Sequence, residues 1–358
     1  VELLAELPDL WDVNISDWEN DSVSSRFGEE GCQERYVAFV KQITTKPVVG
    51  VGWFTSPDTM VSQIRRGVLD MIGAARPSIA DPFLPNKIDE GRLEDIRECI
   101  GCNICVSAEN TASLFRCTQN PTAGEEWRRG WHPETMNPKG ASSRVLVVGG
   151  GPAGLEAALS LGRRGYEVAL ADSGSGGGRI IGEAALPGLT TWRRVLDYRL
   201  GQIDKLKQVS FFPGSKMDVE AIHAFDASHV AIATGATWRR DGVGRATWRS
   251  VPGVTEHLGV FTPDDIFAGV QPEIGRVLVY DDDHYYIGGL IAEALVMAGL
   301  RVTLLTPGPE VSHWTQNTME QHKIEERLLS LGVTLVCKQT LVSVQSDFVV
   351  TRCNLTGK

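Results

Sequence analysis

Four cysteines lie close together in the first third of the chain. Cys99, Cys102 and Cys105 are spaced three residues apart, and Cys117 follows twelve residues later. Thiolates are soft ligands, and four of them with this spacing suit a [4Fe–4S] cluster. Structural zinc sites usually take cysteines as separated pairs, and disulfides are uncommon without a secretory signal. The spacing therefore predicts a [4Fe–4S] site, with zinc or inert thiols as alternatives.

A glycine-rich turn follows the cysteines. Gly149, Gly151 and Gly154 form Gly-x-Gly-x-x-Gly between an apolar strand from residue 144 and an alanine-rich helix. A second strand, 166–171, ends at Asp172, whose carboxylate can bind a ribose hydroxyl. The glycines allow a tight turn and close approach of a pyrophosphate to the helix N-terminus. This combination predicts a Rossmann-like nucleotide site.

The pattern of residues 1–95, before the cysteines, predicts alternating strands and helices. We expect strands over 10–15, 46–52 and 69–76 and helices over 36–43 and 56–66, with Arg76 ending the third strand. Successive βα units favour a parallel sheet. Three units do not close a barrel, so they are expected to be the end of one.

Residues 49–52 and 73–87 resemble the last two barrel strands of the Old Yellow Enzyme superfamily. That resemblance implies an FMN site at the C-terminal face of a TIM barrel, where Gly52 lets backbone approach the phosphate and Arg76 supplies charge. Ala75 belongs to the same turn. The alternative is that Arg76 only pairs with Asp81.

The cysteine run, together with 117–121 and 124–134, resembles the trimethylamine, dimethylamine and histamine dehydrogenases. The resemblance implies an enzyme that oxidises a small amine, with FMN, a [4Fe–4S] cluster and bound ADP. It also implies electron-transferring flavoprotein as the acceptor and a homodimeric assembly.

The same resemblance extends to a substrate site. Trp18 aligns with an aromatic wall of that site, and Asp21 aligns with a catalytic aspartate. Glu109 stands where trimethylamine dehydrogenase has a second tryptophan, and histamine dehydrogenase carries an acid there. A carboxylate suits a second, protonated amine, so a primary amine or diamine such as histamine is expected. The alternatives are a surface Trp18 and solvated acids at 21 and 109.

Two more positions resemble disulfide-reductase-like flavoproteins: Arg179 in a glycine-rich loop, and Thr234 in an Ala-Thr-Gly strand end. The implied nucleotide is ADP, with FAD as the alternative. Residues 271–358 repeat the strand–helix–strand pattern, but Asp281, Asp282 and Asp283 replace the glycine turn. Carboxylates repel pyrophosphate, so this second fold is expected to be vestigial. Its acids are expected to form a solvated turn, with a metal site as the alternative.

Composition excludes some classes of protein. The 358 residues carry 35 basic and 45 acidic side chains, a net charge of −10, which argues against nucleic acid and anionic membranes as partners. No apolar run approaches the roughly 18–20 residues of a transmembrane helix. The chain starts without Met and is expected to be part of a longer, cytoplasmic protein that lacks the first barrel strands.

The predicted fold class is therefore α/β, in four parts: the end of an FMN-binding TIM barrel (1–95), a cluster-binding segment (96–141), an ADP- or FAD-binding Rossmann-like domain (142–253) and a vestigial NAD(P)-like domain (254–358). Two other functions stay open. One is an NAD(P)H-dependent enoate or dienoyl-CoA reductase, and the other is a non-catalytic electron-transfer module.

Overall fold

Parallel strands joined by helices recur along the chain, as the α/β prediction requires. The computed structural model describes residues 1–15, 17–132, 134–255, 259–273 and 275–358. Two compact units are present: Val1–Ile181 with Thr191–Gly235, and Gly182–Thr190 with Ala236–Lys358.

The first unit begins with a small parallel sheet and its helices. Strands β1, β2 and β3 pair in that order, all parallel. Buried Val48, Phe54 and Leu69 belong to the core beneath them. The elements are β1 (Trp11–Val13), α1 (Trp18–Asp21), α2 (Glu34–Val37), α3 (Val40–Ile43), β2 (Val48–Gly50), α4 (Pro57–Arg65), β3 (Met71–Ile72), α5 (Ala75–Ala80) and α6 (Leu84–Asp89), with 3-10 turns at Glu2–Leu4 and Leu93–Asp95.

Two sequence expectations for this region were wrong in detail. The predicted helix over 36–43 is divided between α2 and α3. The predicted third strand shortens to β3, and Arg76 lies in the first turn of α5 instead of at a strand end. The chain leaves β3 at Gly73, and Pro77, with its fixed φ, suits the first turn of a helix.

The rest of the first unit holds the cysteines and the glycine-rich turn. Its parallel sheet has the order β6-β5-β4-β7. Its core contains Val147, Leu155 and Leu170, and Ile100 of the cysteine segment packs into it. The elements are α7 (Ile104–Asn110), α8 (Glu126–Arg129), β4 (Arg144–Val148), α9 (Pro152–Arg163), β5 (Glu167–Ala171), α11 (Arg194–Asp204), β6 (Val209–Phe212), α12 (Val219–Phe225) and β7 (His229–Ile232). Along the chain, α10 (Ile180–Ala184) begins in this unit and ends in the second.

The second unit repeats the pattern on a smaller scale. Its parallel sheet has the order β10-β9-β8, and β11 pairs antiparallel with β12. The elements are α13 (Pro263–Phe267), β8 (Arg276–Tyr280), α14 (Ile287–Met297), β9 (Arg301–Leu305), α15 (Gln321–Ser330), β10 (Thr334–Val336), β11 (Gln339–Val344) and β12 (Val349–Cys353), with a 3-10 turn at His313–Thr318. Another 3-10 turn, Thr190–Arg193, spans the boundary between the units. In the parts of the chain that are described, no helix is both long and apolar enough to cross a membrane.

Candidate functional site

The cysteine segment turns sharply before α7. Gly101 and Asn103 both adopt left-handed backbone, with φ of +61° and +55°. A Cβ at Gly101 would lie 2.8 Å from the backbone nitrogen of Ser25, so only glycine fits this turn. The Gly101 amide donates to the Cys99 sulfur at 3.3 Å. The backbone thus supplies an N–H to the first of the four sulfurs.

The cysteine side chains share one electrostatic environment. Burial raises the pKa of Cys102 and of Cys105 to about 12 each, and the pKa of Cys117 to about 11. Charge on Cys99 raises all three further. Thiols in such surroundings stay protonated unless a cation is bound beside them, because burial penalises the thiolate. Buried thiols whose pKa values are raised in this way fit a group that brings its own positive charge, as an iron–sulfur core does.

The described residues contain no group of three or more His, Cys, Asp or Glu side chains that could hold a metal ion. Side chains that hold a single metal ion must all converge on that ion. A [4Fe–4S] core has four irons, each with its own thiolate, and does not need its ligands to converge on one point.

Polar contacts from both neighbouring regions hold Cys99. Its backbone N–H donates to the Thr55 hydroxyl at 2.8 Å, and its carbonyl accepts from Arg194 of α11 at 3.1 Å. Arg194 also pairs with Glu98 at 2.9 Å. The first ligand position is therefore fixed between the β1–β3 sheet region and the glycine-turn region.

A buried network holds the segment around Cys117. Arg97 and Arg199 both donate to the carbonyl oxygen of Gln119, and Arg199 also donates to the Gln119 side chain at 2.9 Å. Glu156 of α9 balances this charge, its carboxylate lying 2.8 Å from Nε of Arg199. Burial lowers the pKa of Arg199, and Glu156 opposes that effect. These residues are not among the predicted site residues, because nothing in their local spacing indicates such distant partners.

The predicted phosphate arginine is anchored by the protein. Nη1 of Arg76 donates to the Val23 carbonyl at 2.9 Å and to Oδ1 of Asn103 at 2.6 Å. Asp81 is engaged elsewhere: its carboxylate pairs with buried Lys87 at 2.7 Å. The alternative reading, in which Arg76 serves only Asp81, is thus not the observed arrangement.

The other predicted phosphate-turn residues are Gly52, which follows β2, and Ala75, which directly precedes this arginine. Gly52 packs so closely that its added Cβ would lie 3.1 Å from the Cα of Gly31. Ala75 is exposed at the start of α5. Gly52 thus allows close packing against Gly31, while the exposed start of α5 leaves backbone accessible to a ligand.

The predicted substrate residues lie on two short helices. Trp18 begins α1, which Asp17 caps, and is 43% exposed. Asp21 ends α1, and its carboxylate accepts a 2.8 Å hydrogen bond from Gln33, which is 1% exposed. Glu109 is exposed near the end of α7, and no ion pair among the described residues engages it. An exposed indole and a free carboxylate are suited to meet a cation.

The glycine-rich turn has the geometry of a phosphate site. Gly149 has a φ of +106°, and a Cβ there would lie 2.2 Å from the Ala233 carbonyl oxygen. A Cβ at Gly154 would lie 1.8 Å from the Gly149 carbonyl oxygen. Nothing lies within 4 Å of a Cβ built at Gly151, which caps the N-terminus of α9. The space beside Gly151 and the free amides of α9 suit an anion.

The residues predicted to bind the rest of the nucleotide lie around this turn. Asp172 follows β5, and its two oxygens accept from the Gly150 and Gly174 amides at 2.6 and 2.7 Å. Thr234 follows β7 and is exposed, while Arg179 precedes α10 and is half-buried. Asp172 is thus held beside the turn by the backbone.

The corresponding turn of the second unit is filled by the chain itself. The Asp281 carboxylate accepts from the amides of Asp283 and His284 at 3.0 and 3.1 Å. A Cβ on Gly288 would lie 2.5 Å from the Asp281 carboxyl carbon, so this carboxylate lies against the start of α14. Asp281 is only 3% exposed, and the expectation of a solvated acidic turn was wrong for it because close packing on Gly288 buries it.

Two known protein families match different parts of the chain. Residues 1–95 match the NADH:flavin oxidoreductase / NADH oxidase family, and residues 143–358 match the pyridine nucleotide-disulphide oxidoreductase family. Dimethylamine dehydrogenase of Hyphomicrobium sp. (strain x) is 42% identical over 347 residues, covering 94% of this chain and 47% of the relative.

Two solved structures align with the whole chain. Histamine dehydrogenase from Rhizobium sp. 4-9 has a TM-score of 0.97 and 53% identity, covering 100% of this chain and 52% of the other. The 6-hydroxypseudooxynicotine amine oxidase from Pseudomonas geniculata N1 has a TM-score of 0.97 and 52% identity, covering 100% and 54%. The chain spans about half the length of the relatives it matches.

Proposed function

The chain belongs to the flavoprotein family that includes dimethylamine and histamine dehydrogenases, and from this we propose that it is part of an enzyme that oxidises a small amine. Residues 1–95 would form the end of the FMN-binding barrel and 96–141 the cluster segment. Residues 142–253 would bind ADP, with FAD as the alternative, and 254–358 would form the vestigial domain. The enzyme would be a cytoplasmic homodimer.

One observation carries this proposal. Cys99 is held from one side by Thr55 of the flavin-type sheet region and from the other by Arg194 of the nucleotide fold. A cysteine group placed between two such regions suits an electron relay. The residues of this chain would hold FMN and a [4Fe–4S] cluster, which would supply two-electron oxidation of the amine and single-electron transfer onward, and we propose electron-transferring flavoprotein as the acceptor.

The chain's own side chains have separable roles in this proposal. The Trp18 face attracts an alkylated ammonium, and the Asp21 carboxylate, oriented by Gln33, steadies a neighbouring proton. Glu109 offers a charge-assisted hydrogen bond to a second amine. Cys99, Cys102, Cys105 and Cys117 would hold the cluster. Gly52, Ala75 and Arg76 would hold the flavin phosphate.

The hydrogen bonds of Asp281 argue against a nicotinamide-dependent reductase. A pyrophosphate needs the amides at the end of β8, and the Asp281 carboxylate already accepts two of them. A second anion there would also meet Asp282 and Asp283. We therefore propose that electrons enter from the amine and not from NAD(P)H.

The test is an anaerobic titration of the natural full-length protein, followed by flavin absorbance. Histamine, putrescine, dimethylamine and trimethylamine are added separately, and NADH and NADPH serve as the competing donors. Bleaching by an amine alone supports the amine dehydrogenase. Bleaching by a nicotinamide alone would favour the reductase, and no bleaching by any donor would favour a non-catalytic electron-transfer module.

A further inference from the structure

Asn103 lies between two proposed cluster ligands but has the wrong chemistry to be one. It is 1% exposed, directly precedes α7 and has a φ of +55°. Asparagine and glycine tolerate this left-handed conformation better than other residues do. The backbone conformation restricts the residue type, and the buried amide needs partners.

Those partners belong to two other functional segments. Oδ1 of Asn103 accepts from Nη1 of Arg76 at 2.6 Å. Its Nδ2 donates to the carbonyl oxygen of Ser22, the residue after Asp21. One amide therefore joins the cysteine segment, the proposed phosphate arginine and the end of α1.

Anchoring matters because an arginine side chain is long and flexible. Among the described residues, the hydrogen bonds of Arg76 to the protein all use Nη1, with Val23 as the other close acceptor at 2.9 Å. Nε and Nη2 of the same planar fork have no such acceptor among the described residues, so their donors are available to a ligand. Fixing one nitrogen orients the other two.

We propose that Asn103 is a positioning residue that holds the Arg76 guanidinium in place for the flavin phosphate. FMN binding thereby depends on a residue of the cysteine segment. The inference rests on the proposed function, which assigns the flavin phosphate to Arg76.

The experiment compares FMN with riboflavin, which lacks the phosphate. The natural full-length protein is produced free of flavin, and both affinities are measured by quenching of flavin fluorescence. Asn103→Gly keeps the left-handed backbone and removes the amide. We expect it to weaken FMN binding roughly tenfold, typical of losing a hydrogen bond to a charged group, with riboflavin binding and iron content little changed.

Asn120→Ala is the matched control. Asn120 is 2% exposed, lies in the same segment and donates to the Ile79 carbonyl of α5 at 2.9 Å, so it contacts the arginine's helix but not the arginine. This variant should keep the preference for FMN over riboflavin. If Asn103→Gly and Asn120→Ala lost that preference equally, the cause would be a general disturbance of the cysteine segment, and the inference would be overturned.

Arg76→Gln separates the inference from its premise. If this variant loses the FMN preference while Asn103→Gly keeps it, the positioning role is wrong and the phosphate assignment stands. If Arg76→Gln keeps the preference, both are wrong. Should Asn103→Gly not fold, Asn103→Ser, which also removes the amide, provides the test, and the FMN preference should fall in the same way.

Discussion

Arg194 donates a hydrogen bond of 3.1 Å to the carbonyl oxygen of Cys99. The same guanidinium lies 2.9 Å from the Glu98 carboxylate and 3.6 Å from that of Glu30. One positive charge thus stands between two negative charges beside the first proposed cluster ligand. Its removal changes the local electrostatic potential without touching a sulfur.

Arg194→Gln is expected to lower the reduction potential of the proposed cluster. The substitution leaves the carboxylates of Glu98 and Glu30 uncompensated, and negative charge disfavours the added electron. A shift of tens of millivolts is expected, since about 59 mV corresponds to a tenfold change for one electron. Redox titration followed by electron paramagnetic resonance measures it.

Glu98→Gln is the opposing control for that measurement. It removes one negative charge and should raise the potential. Two shifts of the same sign would show that altered packing, and not charge, moves the potential.

The second prediction concerns stability of the second unit. Burial raises the pKa of Asp281, and one of its oxygens is buried with no hydrogen-bond partner among the residues that the structure describes. A carboxyl with a raised folded-state pKa loses stability as pH rises through that pKa, because the folded state then resists ionisation. Asp281→Asn keeps an acceptor for the two amides, so it should stabilise the protein at pH 7 by about 1 kcal/mol.

The measurement is thermal unfolding of both proteins between pH 3 and pH 8. The gain should disappear at low pH, where Asp281 itself is protonated. Asp282→Asn is the control: both Asp282 oxygens accept from the Ala246 amide, at 3.0 and 2.9 Å, so its replacement should not stabilise. A gain for Asp281→Asn that is independent of pH would contradict the electrostatic explanation.

Much of the fold could be predicted from local sequence patterns. The glycine-rich turn and its two strands were predicted correctly because tight turns and apolar strands are encoded by neighbouring residues. The α/β class followed from the same alternation. Arg76 was predicted at the end of a strand because the residues before it are mostly apolar. The strand in fact ends before Gly73, and Arg76 lies in the helix that contains Pro77.

Long-range partners could not be predicted in this way. Asn103 and Ser22 are 81 residues apart, and Arg199 and Gln119 are 80 apart. No periodicity connects such residues, and their types suit solvent as well as a buried network. The burial of Asp281 was missed for a similar reason, because an acidic run reads as a solvated turn until its packing against Gly288 is seen.

The third prediction separates two glycines of the nucleotide turn. Gly154→Ala places a methyl group 1.8 Å from the Gly149 carbonyl oxygen and should destabilise the first unit by about 2 kcal/mol or more. Gly151→Ala meets nothing within 4 Å and should fold normally. It should nevertheless weaken ADP binding, since a methyl group would enter the space proposed for the pyrophosphate. Thermal unfolding with and without ADP distinguishes the two effects.

The last prediction concerns the choice of amine. Glu109 is exposed near the end of α7 and is proposed to accept a hydrogen bond from a second, protonated amine. Glu109→Gln keeps the size of the side chain but removes its charge, so kcat/KM for histamine or putrescine should fall about tenfold, as charge-assisted hydrogen bonds are roughly twice as strong as neutral ones. Dimethylamine has no second amine, and its kcat/KM should stay within about twofold. Equal losses for both substrates would mean that the substitution disturbs the fold. No loss for either substrate would mean that Glu109 does not contact the substrate.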